Sequence, residues 1–329
     1  MNGIVINRRS KKLNYIIIAI IIVFLVIATI NQILMKIEEN KFDPPGELIE
    51  IDDHLMHIHS SGDINQSPTV VMTCGSGTPS AYTEFSSIQA NISTLTRTSV
   101  YERPGYGWSE AATTPRNTEQ IVEDLKRLLD ESEENSPYLF VAHSMGAMEV
   151  LLYAHKYPNE VLGIVLVDGT SPYKHLYYPE ASISNFGVKA IKVLNQMGIL
   201  RVVQEFELIP MLNNRFNSME DEIKAIDKAM MYKNILNDMV LQEGYSVTSS
   251  AEQMYGTIEL GDIPLVLLAA DKSMDELPGW ETSQNSLLEL SSNSQLVILD
   301  NTDHISILHN SSDEIEKVIK EMILEIRSR

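Results

Sequence analysis

The sequence predicts an α/β architecture: a mostly parallel sheet flanked by helices, with a helical cap insertion late in the chain and one transmembrane helix ahead of the sheet. Three observations carry this. From Glu47 onward, short β-branched strand signals alternate with helical periodicity. Residues 171–258 lose the strand signal and keep helical spacings such as Ile223, Ile226 and Met230. Residues 13–35 form a single uncharged apolar run. With 329 residues, 44% of them apolar and 21% charged, the chain can build a large core, and a fully disordered or collagen-like polymer is excluded.

The apolar run, Leu13 to Met35, is 23 residues long. As a helix it extends about 35 Å, against about 30 Å of bilayer hydrocarbon. A cleaved signal peptide needs a shorter apolar core and a small-x-small site, and Ala28-Thr29-Ile30 does not supply one. An uncleaved anchor is therefore expected. Arg8, Arg9, Lys11 and Lys12 precede the run, and Glu38, Glu39 and Asp43 follow it. By the positive-inside rule residues 1–12 stay in the cytoplasm and everything after Met35 lies outside. Residues 36–46, ending Pro44-Pro45-Gly46, read as a tether.

The core follows in two parts, 47–170 and 259–329, around the cap at 171–258. Leu48–Ile51 and Leu55–Ile58 read as paired strands turning at Asp52-Asp53-His54. Thr69–Thr73, Thr98–Tyr101, Tyr138–Ala142, Val161–Val167, Pro264–Ala269 and Gln295–Leu299 are further core strands. A helix over Asn117–Leu129 is capped by Asn117 with Gln120 reaching back, and the terminal helix opens on the capping pair Ser311 and Glu314.

Twenty-five basic and 45 acidic residues give a net charge of −20, and residues 13–329 alone carry −24. A body that acidic repels phosphate backbones, so no nucleic-acid partner is expected. The one cysteine, Cys74, excludes an internal disulfide framework and a multi-thiolate metal site. His57 and His59 share a strand face, yet no carboxylate stands at metal-site spacing, so no metal is expected.

Chemistry concentrates at Ala142-His143-Ser144-Met145-Gly146, between a strand and a helix. This is a G-x-S-x-G nucleophile elbow with alanine in the first small position, and Ser144 is its nucleophile. The N–H of Met145 opens the following helix and can stabilise an oxyanion. A serine needs a base. His143 points away from its neighbour on the elbow, and His309 lies five residues beyond His304, past apolar Ile305, Ile307 and Leu308. His304, in the loop Asp300-Asn301-Thr302-Asp303-His304 after the last strand, is the candidate.

From about Pro45 to its end the chain resembles the α/β-hydrolase family. Cys74-Gly75-Ser76-Gly77 is similar to the family's oxyanion loop, with Cys74 where a histidine is common, which implies the N–H of Ser76 as second oxyanion donor. Tyr101-Glu102-Arg103-Pro104-Gly105-Tyr106-Gly107-Trp108-Ser109 resembles the family's D-x-x-G-x-G-x-S segment, with Glu102 for Asp, and reads as turn and packing architecture. The resemblance implies His304 as catalytic base. It puts the triad acid after the seventh strand, where Ser273 now stands, or at the end of the sixth, where Asp168 stands. Asp168 is favoured, with Asp271 as the alternative acid. The function implied is a membrane-anchored serine hydrolase acting on a small-molecule or lipid-like ester with no cofactor. Branches with an Asp nucleophile are disfavoured by Ser144. A proline-iminopeptidase-type aminopeptidase, favoured by acidic cap residues Glu180, Glu205 and Glu207, and a catalytically silent binding module are the alternatives.

Overall fold

The computed structural model describes residues 8–179, 184–208, 215–216 and 219–329. These fall into two compact units, one made of Met1–Asp43 with Ile183–Pro210 and the other of Pro44–Ser182 with Met211–Arg329. The stretch read from sequence as one cap is thus divided between the two.

In the first unit, α1 runs from Arg8 to Lys41. Its segment Leu13–Lys41 is long and apolar enough to cross a membrane, and none of its most apolar window is buried by protein. The helix does not stop at Met35. Lys36 to Lys41, expected as tether, continue it, and an i,i+3 ion pair of 2.6 Å between Lys36 and Glu39 supports that extra turn.

The second unit is built on β1 (Glu47–Ile51), β2 (His54–Ser61), β3 (Thr69–Thr73), β4 (Thr98–Tyr101), β5 (Tyr138–His143), β6 (Val161–Val167), β7 (Leu265–Ala270) and β8 (Ser294–Leu299). They form one sheet in the order β1-β2-β4-β3-β5-β6-β7-β8. β1 and β2 pair antiparallel, as do β2 and β4, and every other pairing is parallel. The central strands are buried on both faces, which is why they read as continuous Val, Leu and Ile runs.

Helices cover both faces. α2 (Ala81–Ile92) contributes Phe85, Ile88 and Ile92 to one core, together with the terminal helix. α3 (Thr118–Glu131) and α4 (Gly146–Lys156) bury Leu125, Leu128, Leu151 and Tyr153 in the other. The side chain of Asn117 caps α3 by accepting from the N–H of Gln120 at 2.9 Å. Gln120 does not reach back; its amide donates to Asp124, which also binds Arg116. The terminal helix likewise starts at Ser311 without a side-chain cap bond: Ser311 has φ −120° and ψ +27° rather than the extended backbone a capping hydroxyl needs.

Candidate active site

β5 carries the chain to Ser144 at its carboxyl end, and α4 starts two residues later, so the serine sits on a tight corner with φ +55°. A non-glycine residue in that region is strained and is held only where its surroundings fix it. Here the Ser144 carbonyl accepts the N–H groups of Ala147 and Thr170 at 3.1 and 3.0 Å, tying the corner to its helix and to the end of β6. Neighbouring chain comes very close. A Cβ on Gly75 would lie 2.5 Å from the Ser144 Cβ, and one on Gly146 would lie 3.0 Å from the Cys74 carbonyl oxygen.

The loop after β8 brings His304 over this corner. Its Nε2 lies 2.8 Å from the Ser144 Oγ, and its Nδ1 lies 2.7 Å from Asp168 Oδ2. An ionised carboxylate only accepts, so Nδ1 bears the proton and Nε2 accepts from the serine hydroxyl. Trp280 packs edge-on to the imidazole with ring centroids 5.2 Å apart. Asp168 ends β6, buried, with φ +43°. Burial pushes its carboxyl upward, but the hydrogen bond and charge of His304, the Ser273 hydroxyl and the Ala270 N–H outweigh that and hold it below the usual range. Ser273 donates at 2.5 Å, the Ala270 N–H at 3.1 Å and the Trp280 indole at 2.9 Å. Ser273, which stands where the resemblance implies an acid, therefore donates to the Asp168 carboxylate.

Asp271 does something different. Its carboxylate accepts the N–H groups of Lys272, Asn301 and Thr302 at 2.8, 2.7 and 3.0 Å, which pins the start of the His304 loop to the end of β7. His143 donates from Nε2 to the His304 carbonyl at 3.0 Å, and its ring lies 5.0 Å from that of His304. Burial, then the nearby His304, lower its pKa to about 4, so it is neutral at pH 7. His309 is engaged by Glu84 at 2.9 Å, in a buried cluster where Arg215 bridges Glu84 and Asp227. His57 and His59 are held by Glu102 at 3.1 Å and by Gln89 at 2.8 Å.

The Cys74–Gly77 loop is organised by residues whose role the sequence did not reveal. Arg103 donates from Nη1 to the Cys74 carbonyl at 2.8 Å and from Nη2 to the Gly75 carbonyl at 2.9 Å. Because that peptide is planar and trans, the Ser76 N–H points to the side opposite Arg103. Arg103 is itself held by Glu149 at 3.0 Å and by Glu243 at 3.2 Å. The Tyr106 hydroxyl accepts the Gly77 N–H at 3.2 Å and donates to Glu243 at 2.5 Å. The Tyr101–Ser109 segment thus supplies a buried cation as well as turns. An arginine inside a turn-forming stretch with no local partner was the available signal.

Beside His304 lies a cleft of about 290 Å³ lined by Lys272, Ser273, Glu276, Leu277, Asp303 and Ile305. Of the acidic residues expected to mark an aminopeptidase pocket, Glu180 lies outside the described residues, and Glu205 and Glu207 belong to the unit of the N-terminal helix and are exposed.

A family model described as the alpha/beta hydrolase fold matches residues 79–185. Among curated proteins the chain is 26% identical over 192 residues to the uncharacterized protein YbdG of Bacillus subtilis, covering 58% of each. It is 24% identical over 328 residues to the uncharacterized protein C23C11.06c of Schizosaccharomyces pombe, covering 88% of this chain and 58% of that one. The chain therefore spans 58% of the length of both relatives. Among solved structures, a candidate lipase from Acinetobacter baumannii AYE superposes with TM-score 0.63 at 19% identity, covering 91% of this chain and 97% of that one. The enol-lactonase from Burkholderia xenovorans LB400 gives 0.58 at 16%, covering 84% and 100%. Epoxide hydrolase CorEH gives 0.60 at 12%, covering 85% and 98%. Neighbours this distant, named for such different activities, share an architecture and not a reaction. On sheet order, elbow and likeness together, the chain has the α/β-hydrolase fold, preceded by one apolar helix.

Proposed function

We propose that this protein is a membrane-anchored serine hydrolase that cleaves an ester, or a related acyl bond, through an acyl-Ser144 intermediate. The observation that carries the proposal is the unbroken path of hydrogen bonds Ser144–His304–Asp168, at 2.8 and 2.7 Å. His304 takes the hydroxyl proton as Oγ attacks the substrate carbonyl carbon. Asp168 holds the imidazole in the tautomer that leaves Nε2 free, and stabilises the imidazolium that forms. The N–H groups of Met145 and Ser76 hold the tetrahedral oxyanion. His304 then returns the proton to the leaving oxygen. In the second half it deprotonates a water, the water attacks the acyl carbon, and Ser144 departs with the proton.

An apolar acyl or alcohol group is the proposed substrate feature, in keeping with the Met, Leu and Tyr content of residues 171–258 and with attachment to a membrane. An intact Ser144–His304–Asp168 path favours this reading over a silent binding module. Fluorophosphonate labelling of the full chain tests it directly: wild type is expected to label and Ser144→Ala to remain unlabelled. Equal labelling of the two would end the hydrolase reading.

A further inference from the structure

Resting on the anchor reading of residues 13–35, we propose that residues 184–208 form a helical hairpin embedded in the bilayer at the Met35 end of the span. In the unit that contains α1, helix α5 (Asn185–Gln196) and helix α6 (Ile199–Glu205) are joined at Gly198, whose φ is +74°. The joint sits directly on α1. A Cβ on Gly198 would lie 2.9 Å from the Asn31 Cβ and 3.4 Å from the Ile27 Cγ2. Ile27 and Asn31 precede Met35 by two turns and one turn, about 12 and 6 Å inside the end of the apolar run. Backbone packed against them shares their depth.

The polar contacts fit that depth. A primary amide in hydrocarbon is costly unless it is paired. Asn31 is 3% exposed, and its Nδ2 donates to the Asn195 carbonyl at 2.9 Å and to the Gln196 carbonyl at 3.3 Å. Those are end-of-helix carbonyls with lone pairs to spare, although that of Asn195 also accepts the Gly198 N–H at 2.9 Å. The Asn31 Oδ1 accepts from Arg201 Nε at 3.0 Å, and the Arg201 fork reaches Glu38 at 2.6 and 2.7 Å. Glu38 lies just beyond the run, where a charged pair belongs.

Among the described residues the hairpin exposes large apolar side chains over much of its surface, with charged Lys189, Glu205 and Glu207 exposed beside them. Phe186 is 83% exposed and Phe206 70%, and Val193, Leu194, Val202 and Leu208 are exposed too. Single exposed apolar residues are ordinary, but this density within one short hairpin marks a surface that another apolar phase covers. Lipid is that phase, because the helix on which the hairpin is packed is the one that enters lipid.

The full chain is reconstituted in phosphatidylcholine vesicles as Phe186→Cys, Val202→Cys and Phe206→Cys, each carrying an environment-sensitive fluorophore, with exposed Leu95→Cys as reference. Cys74 is buried, and burial pushes its thiol well up, so it does not compete for label. Spin-labelled phosphatidylcholine is expected to quench the three hairpin labels several-fold more than the Leu95→Cys label. Any one well-folded hairpin variant suffices. Equal quenching at all positions overturns the proposal, and so does energy transfer between labelled copies without lipid quenching, since a second copy would then cover the face. Alkaline carbonate separates the premises: protein stripped from the vesicles refutes the anchor and the hairpin with it, whereas retained protein with unquenched labels refutes the hairpin alone.

Discussion

At Arg103 one planar fork meets two main-chain carbonyls and two buried carboxylates. Lysine would keep the charge but not the geometry. Arg103→Lys is therefore expected to fold, to lower kcat about tenfold or more by loosening the Ser76 peptide, and to leave KM nearly unchanged. An unchanged kcat would show that the loop holds its shape without the fork. His143 sets a pH response. Its folded pKa of about 4 lies below the ordinary value of 6.5, so between those values the unfolded chain binds the extra proton. Stability is then fully present above pH 6.5 and falls as pH drops toward 4, by up to about 3 kcal/mol from this group. His143→Gln keeps a donor for the His304 carbonyl and cannot titrate. Thermal melts at pH 7 and pH 4.5 should differ less for this variant than for wild type, and equal differences would remove His143 as the cause.

Between elements, α4 approaches the end of β3 closely. Gly146 lies there with room for hydrogen alone, since a Cβ would meet the Cys74 carbonyl oxygen and the Thr73 Cγ2, each at 3.0 Å. Gly146→Ala is expected to push the helix start from the strand end, costing about 1–3 kcal/mol as overpacking does. Differential melting measures it, and a stability equal to wild type would mean that the loop yields freely. The elements themselves were legible because their signals are local: β-branched runs for the strands, a 3.6-residue stripe for α3, and small residues flanking Ser144. Caps were less so. Gln120 and Ser311 have the right residue types, but Asp124 claims Gln120, and the Ser311 backbone is not in the extended conformation of a cap. Residues 36–41 of the expected tether are helical because Lys36, Glu39 and Lys41 are as content in a helix as in a linker.

For the whole molecule, the basic start and acidic continuation around the apolar run predict an outward-facing hydrolase unit. Protease added to intact cells should remove that unit, while its survival until the cells are lysed would reverse the topology. The serine and the histidine could be named from the chain because each sits in a short, self-contained context: an elbow between strand and helix, and a loop after the last strand. Asp168 over Asp271 could be favoured by topology, yet only folding shows which carboxylate meets the imidazole, since both end neighbouring parallel strands and the choice turns on side-chain direction. Arg103, Tyr106 and Glu243 were invisible as a set, because their meeting joins residues more than a hundred positions apart. The amino-acid order by itself determined the layers, the apolar N-terminal run and the strand–Ser144–helix corner, all properties of periodicity and near neighbours. Tertiary structure decided which distant charges pair, which peptide is turned, and which part of the cap segment keeps company with the N-terminal apolar helix, because those depend on packing in three dimensions.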